Sequence, residues 1–188
     1  QAMAIEEHIS ESKEKMTTTL EAFKVESARV RTGRASTSLV SNVRVDYYGT
    51  ITPLNQLATI NVPEPQLIVI QPYDAGALGN IEKAIQTAEL GLNPANDGKL
   101  IRVPVPPLTE ERRKEMVKMV KKIGEDHKVS IRNIRREIND ILKSEEKDKE
   151  ISEDDLRKGQ GEVQKVTDDF ITQIDKLISV KEEEILKV

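Results

Sequence analysis

The sequence predicts an α+β protein of two domains, an antiparallel three-helix bundle carrying an inserted β/α/β unit. Three observations carry that expectation. A 3.6-residue apolar rhythm occupies the N-terminal region, and the same rhythm returns through residues 110–188. Between them the pattern breaks into short β-rich runs separated by proline and glycine. The composition agrees. Of 188 residues, 37% are hydrophobic, only 3% aromatic and 33% charged, which favours thin helical packing over a thick aromatic core.

In chain order, the first helix rests on Ile9, Met16, Leu20, Phe23, Ser27 and Val30, spaced so that one stripe faces a core. RTGRAS (31–36) then leads into the insert. VRVDYYG (43–49), LATINV (57–62), LIVIQPY (67–73) and KLIRVPV (99–105) read as strands. LGNIEKAIQTAELGL (78–92) reads as a short helix ended by Gly91 and Pro94. VPVPPLT (103–109) leads back to the second helix, which Thr109 precedes as a capping hydroxyl. Met116, Val120, Ile123, His127, Ile131, Ile134, Ile138 and Ile141 form its stripe. SEEKDKEISEDD (144–155) is expected as an exposed turn, with Ser152 capping the third helix before Glu153, Asp154 and Asp155. Leu156, Val163, Val166, Phe170, Ile174, Leu177 and Ile185 mark that helix. The expected domains are 1–31 with 107–188, and 32–106. Hinge strands at 31–36 and 103–108 hold Gly33, Arg34, Pro104, Pro106 and Pro107. Glycine supplies freedom and prolines stiffness, so a hinge and a rigid corner both remain open at this point.

Several classes of function are disfavoured. The chain has no cysteine, hence no disulfide or thiolate chemistry. The two histidines, His8 and His127, lack partners at metal-ligand spacing, and His127 falls on an apolar stripe where a packed role is favoured. There is no phosphate-cradling Gly-x-x-x-x-Gly-Lys-Ser/Thr loop or Gly-x-Ser-x-Gly elbow, and GQG (159–161) follows no strand. Neither an enzyme nor a cofactor is expected. No run reaches the ~20 apolar residues of a membrane helix, and QAMAIEEHIS does not read as a signal peptide. A cytoplasmic protein is therefore expected.

One feature points to a partner. Residues 112–136 carry ten basic and three acidic side chains, a charge of +7 within a chain of net charge −4. At 100° per residue, Lys114, Lys118, Lys121, Lys128 and Arg136 fall within about 40° of Arg132, opposite the apolar stripe. Arg135 lies about 60° away, toward the core edge. A ridge of one sign attracts phosphate and releases condensed counterions on binding. Few aromatics argue against stacking on single strands, which favours folded RNA met through its backbone.

The motifs RTGRAS, VDYYGTITPLNQLA, EKAIQTAELGLNP, IRVPVPPLTEERRKEMVK, VSIRNIRRE and KEISEDD with VQKVTDDF together resemble the ribosome recycling factor family over nearly the whole chain. Thr37 departs from the proline the family commonly has after RTGRAS. The resemblance implies a near L-shaped monomer without catalytic residues, acting on the post-termination ribosome. It further implies elongation factor G as partner, with GTP hydrolysed by that partner, and splitting into subunits as outcome. By motif match, Arg31, Arg132 and Arg135 are implied as contacts to large-subunit ribosomal RNA. The wheel adds Lys118, Lys121, Lys128 and Arg136. The insert is implied to face the small subunit and elongation factor G, swinging about the hinge. The rival reading is a protein–protein adaptor whose ridge pairs with acidic side chains, and a hydrolase site in the insert is a remote third.

Overall fold

A computed structural model of the chain describes residues 2–187, with side-chain environments from Ile5 to Lys187. Its helices are α1 (Ala2–Ala28), α2 (Leu78–Thr87), α3 (Glu110–Lys147) and α4 (Glu153–Leu186). Its strands are β1 (Arg44–Tyr47), β2 (Thr50–Pro53), β3 (Ala58–Glu64), β4 (Leu67–Pro72), β5 (Ala95–Asn96) and β6 (Ile101–Pro104). The chain divides into two compact units. One joins the segment up to Thr32 to everything from Glu110 onward, and the other spans Gly33–Thr109.

The first unit is a three-helix bundle. His8 Nε2 lies 2.6 Å from Glu145 Oε1, and Lys15 donates to Glu137 at 3.0 Å, so α1 and α3 run antiparallel. Lys128 donates to Asp175 at 2.7 Å and Arg135 to Gln164 at 3.2 Å, which makes α3 and α4 antiparallel as well. Met16, Leu20, Phe23, Ile131, Ile138, Leu142, Val163 and Ile174 are buried among the three helices. His127 is the packed histidine its position suggests. Its ring meets Phe23 edge-on with centroids 5.7 Å apart, and Nδ1 lies 2.7 Å from the Ile123 carbonyl oxygen.

Close approach of the helices requires glycine at one level. A Cβ on Gly124 would overlap the Ile178 side chain and touch Phe23, whereas one on Gly161, also helical, would meet nothing within 4 Å. Gly124→Val is therefore expected to destabilise the bundle by about 2 kcal/mol through overpacking. Gly161→Ala should stabilise it by about 0.5–1 kcal/mol through helix propensity. Thermal or urea unfolding of the two variants checks both signs.

Ser152 forms a capping box at the start of α4: its Oγ accepts from Asp155 N at 3.0 Å, and Asp155 Oδ2 accepts from Ser152 N at 3.3 Å. The preceding turn is shorter than the expected 144–155. α3 continues through Lys147, with Glu145 held by His8, and buried Ile151 pins the chain before Ser152.

In the second unit, β3-β4-β6-β5 form an antiparallel sheet and β1-β2 a separate hairpin. Val45, Leu54, Ile68, Ile70, Ile81, Ile85, Ile101 and Val103 make one apolar cluster between the strands and α2. Two strands escape the sequence pattern. β2 has no buried residue, and β5 is two exposed residues. α2 also stops earlier than residue 92, because Glu89 and Gly91 adopt positive φ of 53° and 69°. Among the described residues no helix is long and apolar enough to cross a membrane, and no group of three side chains is arranged to hold a metal.

Candidate nucleic-acid interface

The basic residues of α3 are positioned by the demands of its buried face. Met116, Val120, Gly124, Lys128, Ile131, Ile138 and Leu142 are buried, an arc of about 120°. That arc is rotated by about 50° from the one expected, toward Arg135. The cause is that Gly124, Lys128 and Leu142, none of them in the expected stripe, are buried where α1 and α4 close on α3.

The rotation corrects the ridge at Lys128. This lysine does not project into solvent, because its side chain is only 11% exposed and Nζ lies 2.7 Å from both Asp175 and Glu125. Burial pulls its pKa down, but hydrogen bonds to Asp175 and Glu125 more than offset this and hold it above the ordinary value. Lys128 is thus a charge spent inside the bundle. Lys128→Met keeps the stem in place and leaves two carboxylates that are more than half exposed and can hydrate. It is expected to change RNA affinity by less than about twofold, whereas Arg136→Ala should weaken it about fivefold. Filter binding of both variants to large-subunit RNA at fixed salt separates them.

The remaining residues divide into crest and shoulder. Lys118, Lys121 and Arg136 are exposed, with Lys114 and Lys122 beside them. Their contacts to acids are loose. Lys114–Glu110, Lys121–Glu182 and Lys122–Asp126 lie at 3.7–3.8 Å and are solvent-screened, so they leave the positive potential of this face largely intact. Arg136 donates to Asn133 at 3.2 Å. Arg132 and Arg135 are half-buried on the shoulder toward α4, where Gln164 accepts from Arg135 Nη1. This changes the expected order: Arg132 does not point straight outward, and both arginines are partly held by their surroundings. Among the described residues, Lys118, Arg132, Arg135 and Arg136 have no carboxylate within ion-pair distance. Gln164 and Asp175, which hold Arg135 and Lys128, were not read as site residues, because only the α3–α4 register identifies them.

Arg31 is half-buried just beyond α1. The expected hinge residues are distributed unevenly. Gly33 has φ +77°, and a Cβ there would come within 2.9 Å of Leu108 N, so the two connecting segments touch at this glycine. Arg34, Pro106 and Pro107 are exposed beside it. Pro104 belongs to the sheet instead, ending β6 opposite Leu67, where a missing N–H is tolerated. Farther into the second unit, Ala35 N donates to Pro65 O at 2.7 Å and Val105 N to Gln66 O at 2.8 Å. These bonds fasten both segments to the β3–β4 turn.

The ribosome recycling factor family model matches residues 23–186, which takes in the basic face and both connecting segments. The chain belongs to the ribosome recycling factor family. A ribosome-recycling factor of Oleidesulfovibrio alaskensis is 56% identical over 178 residues, covering 95% of this chain and 97% of that one. That of Bacillus licheniformis is 54% identical over 180 residues, covering 96% and 97%. A solution structure of a ribosome recycling factor superposes with a TM-score of 0.80 at 46% identity, covering 98% of each chain. A second solved chain has a TM-score of 0.66 at 45% identity and covers 97% of this chain and 98% of its own. It comes from models of the T. thermophilus ribosome recycling factor and E. coli elongation factor G bound to the E. coli post-termination complex. The α+β architecture expected from sequence is therefore the family's own.

Proposed function

We propose that this member of the ribosome recycling factor family binds the post-termination ribosome in the cytoplasm as a monomer. With elongation factor G, and GTP hydrolysed by that partner, it splits the ribosome into subunits. The three-helix unit is the anchor, laid on large-subunit ribosomal RNA through the exposed face of α3. Arg132, Arg135, Arg136, Lys118, Lys121 and Arg31 contribute the contacts, and Lys128 acts from within by fixing α3 against α4. The second unit works toward the small subunit and elongation factor G, moving about the connecting segments 31–36 and 103–108, which touch at Gly33.

The observation that carries this reading is the one-sign face. Lys118, Arg132, Arg135 and Arg136 lack carboxylate partners among the described residues, on a helix whose 38 residues span about 57 Å. A rigid, positively charged rod suits the backbone of folded RNA better than a small ligand. The relative bound together with elongation factor G on a post-termination complex supports the same assignment.

Competition tests the anchor. Isolated large-subunit RNA is expected to displace the chain from large subunits, with an affinity that falls steeply as salt rises. Failure of that RNA to compete at low salt would favour an adaptor that binds acidic protein surfaces.

A further inference from the structure

The hairpin joining β1 to β2 has an unusual tip. Tyr48 and Gly49 both have positive φ, 50° and 86°, as a two-residue type I′ turn requires. Such turns favour Asn or Asp before the glycine, because a bulky residue with a Cβ is strained there. Here the position holds a tyrosine that is 75% exposed. Strained residues persist where the surroundings hold them, and they concentrate at sites of recognition.

The surroundings do hold Tyr48. Its hydroxyl donates to Asp74 Oδ2 at 3.2 Å, and the Tyr47 hydroxyl donates to the same oxygen at 3.0 Å. Asp74 Oδ1 accepts from Gly76 N at 2.8 Å. The two rings meet edge to face, with centroids 4.7 Å apart. Asp46 accepts from Gly49 N at 2.8 Å and closes the turn from the other side. The hydroxyl of Tyr48 is therefore committed within the chain, and the ring is the part left for a partner.

The chemistry of that partner follows from the charges. Asp74 stays ionised, because the Gly76 N–H and then the two phenols hold its carboxyl below the usual range. A second carboxylate, Asp46, flanks the turn. Asp46 shares its groove with Arg44 and Lys83, so the charge that selects the partner is that of Asp74. A carboxylate bonded to the hydroxyl of an exposed aromatic ring disfavours a phosphate backbone and favours a cation. A phenol donating to a carboxylate also has an electron-richer ring, which strengthens that attraction. We propose that the Tyr48 tip is a docking point for a lysine- or arginine-bearing protein segment of the recycling machinery, held by its ring face and by Asp74.

This inference rests on the recycling activity proposed above, and one experiment separates the two. Subunit splitting is followed with purified post-termination ribosomes, elongation factor G and GTP, using wild type, Tyr48→Phe and Tyr48→Asn. Tyr48→Asn relieves the backbone strain and removes the ring. It is expected to keep its Tm within about 2 °C and its affinity for isolated large subunits within about twofold, while splitting falls about tenfold. Tyr48→Phe should retain splitting within about threefold. A photoreactive phenylalanine at position 48 should cross-link to a basic protein segment of the ribosome or of elongation factor G. Cross-linking to ribosomal RNA would overturn the assignment. So would full-speed splitting by Tyr48→Asn, or a fall in Tm matching the loss of splitting, which would make Tyr48 only a latch for the hairpin. If the wild-type chain itself does not split ribosomes, the parent reading fails instead.

Discussion

Arg132→Ala and Arg135→Ala are each expected to weaken binding to large ribosomal subunits by about 1–3 kcal/mol, roughly 5- to 150-fold. Each should also lower the salt slope of binding by about one unit. Both side chains sit on the shoulder between the exposed face of α3 and α4, half-buried and without a carboxylate partner among the described residues. Partial burial matters here because an arginine already held loses less entropy on forming a bidentate phosphate contact. Gln164 holds Arg135 in this way. The exposed lysines of the crest act mainly as screened point charges, and Lys118→Ala should cost about 0.5 kcal/mol. Arg135→Lys should not restore the loss, since a lysine lacks the planar fork. Equilibrium binding across a salt series, with circular dichroism to confirm folding, checks the order.

Gly33→Val is expected to slow subunit splitting at least tenfold while changing large-subunit affinity less than about threefold. Two effects combine at this residue. The backbone has φ +77°, which strains any β-branched side chain, and a Cβ would press on Leu108 N and Cγ. Both disturbances fall where the two connecting segments touch, and neither Gly33 nor Leu108 belongs to α3. Gly33→Ala should give an intermediate rate, because it carries the same clash with less strain. A graded series Gly, Ala, Val in splitting, at nearly constant affinity, is the signature of a joint. Equal rates across the series would mean that the connection is only a corner.

How much of this was legible in the sequence depends on the element. The three bundle helices were, because Phe23, Ile131 and Ile174 keep a helical period over many turns and that period has one structural meaning. Ser152 was legible as a cap for the same local reason. β2 was not, since TITP has no buried residue and leaves no alternation to read. The site divides in the same way. Charge segregation along α3 is a property of sequence, and it identified the basic face. Which basic residues remain outside depends on where α1 and α4 touch α3, and a helical wheel for one helix cannot supply that. Lys128 was misplaced because its partner Asp175 lies 47 residues away. Gly124 was passed over because a residue without a side chain has no place in an apolar stripe, yet it admits Ile178. Pro104 looked like part of the connection by composition, and its pairing with Leu67 puts it in the sheet.

The central claim is that the chain works as an anchored lever driven by elongation factor G. Light scattering from purified post-termination ribosomes tests it most directly, with the chain, elongation factor G and GTP added singly and together. Scattering is expected to fall only when all three are present. That fall should be abolished by a non-hydrolysable GTP analogue and slowed by Gly33→Val without loss of binding. Undiminished scattering with all three components, while the chain is bound to the ribosomes, would contradict it.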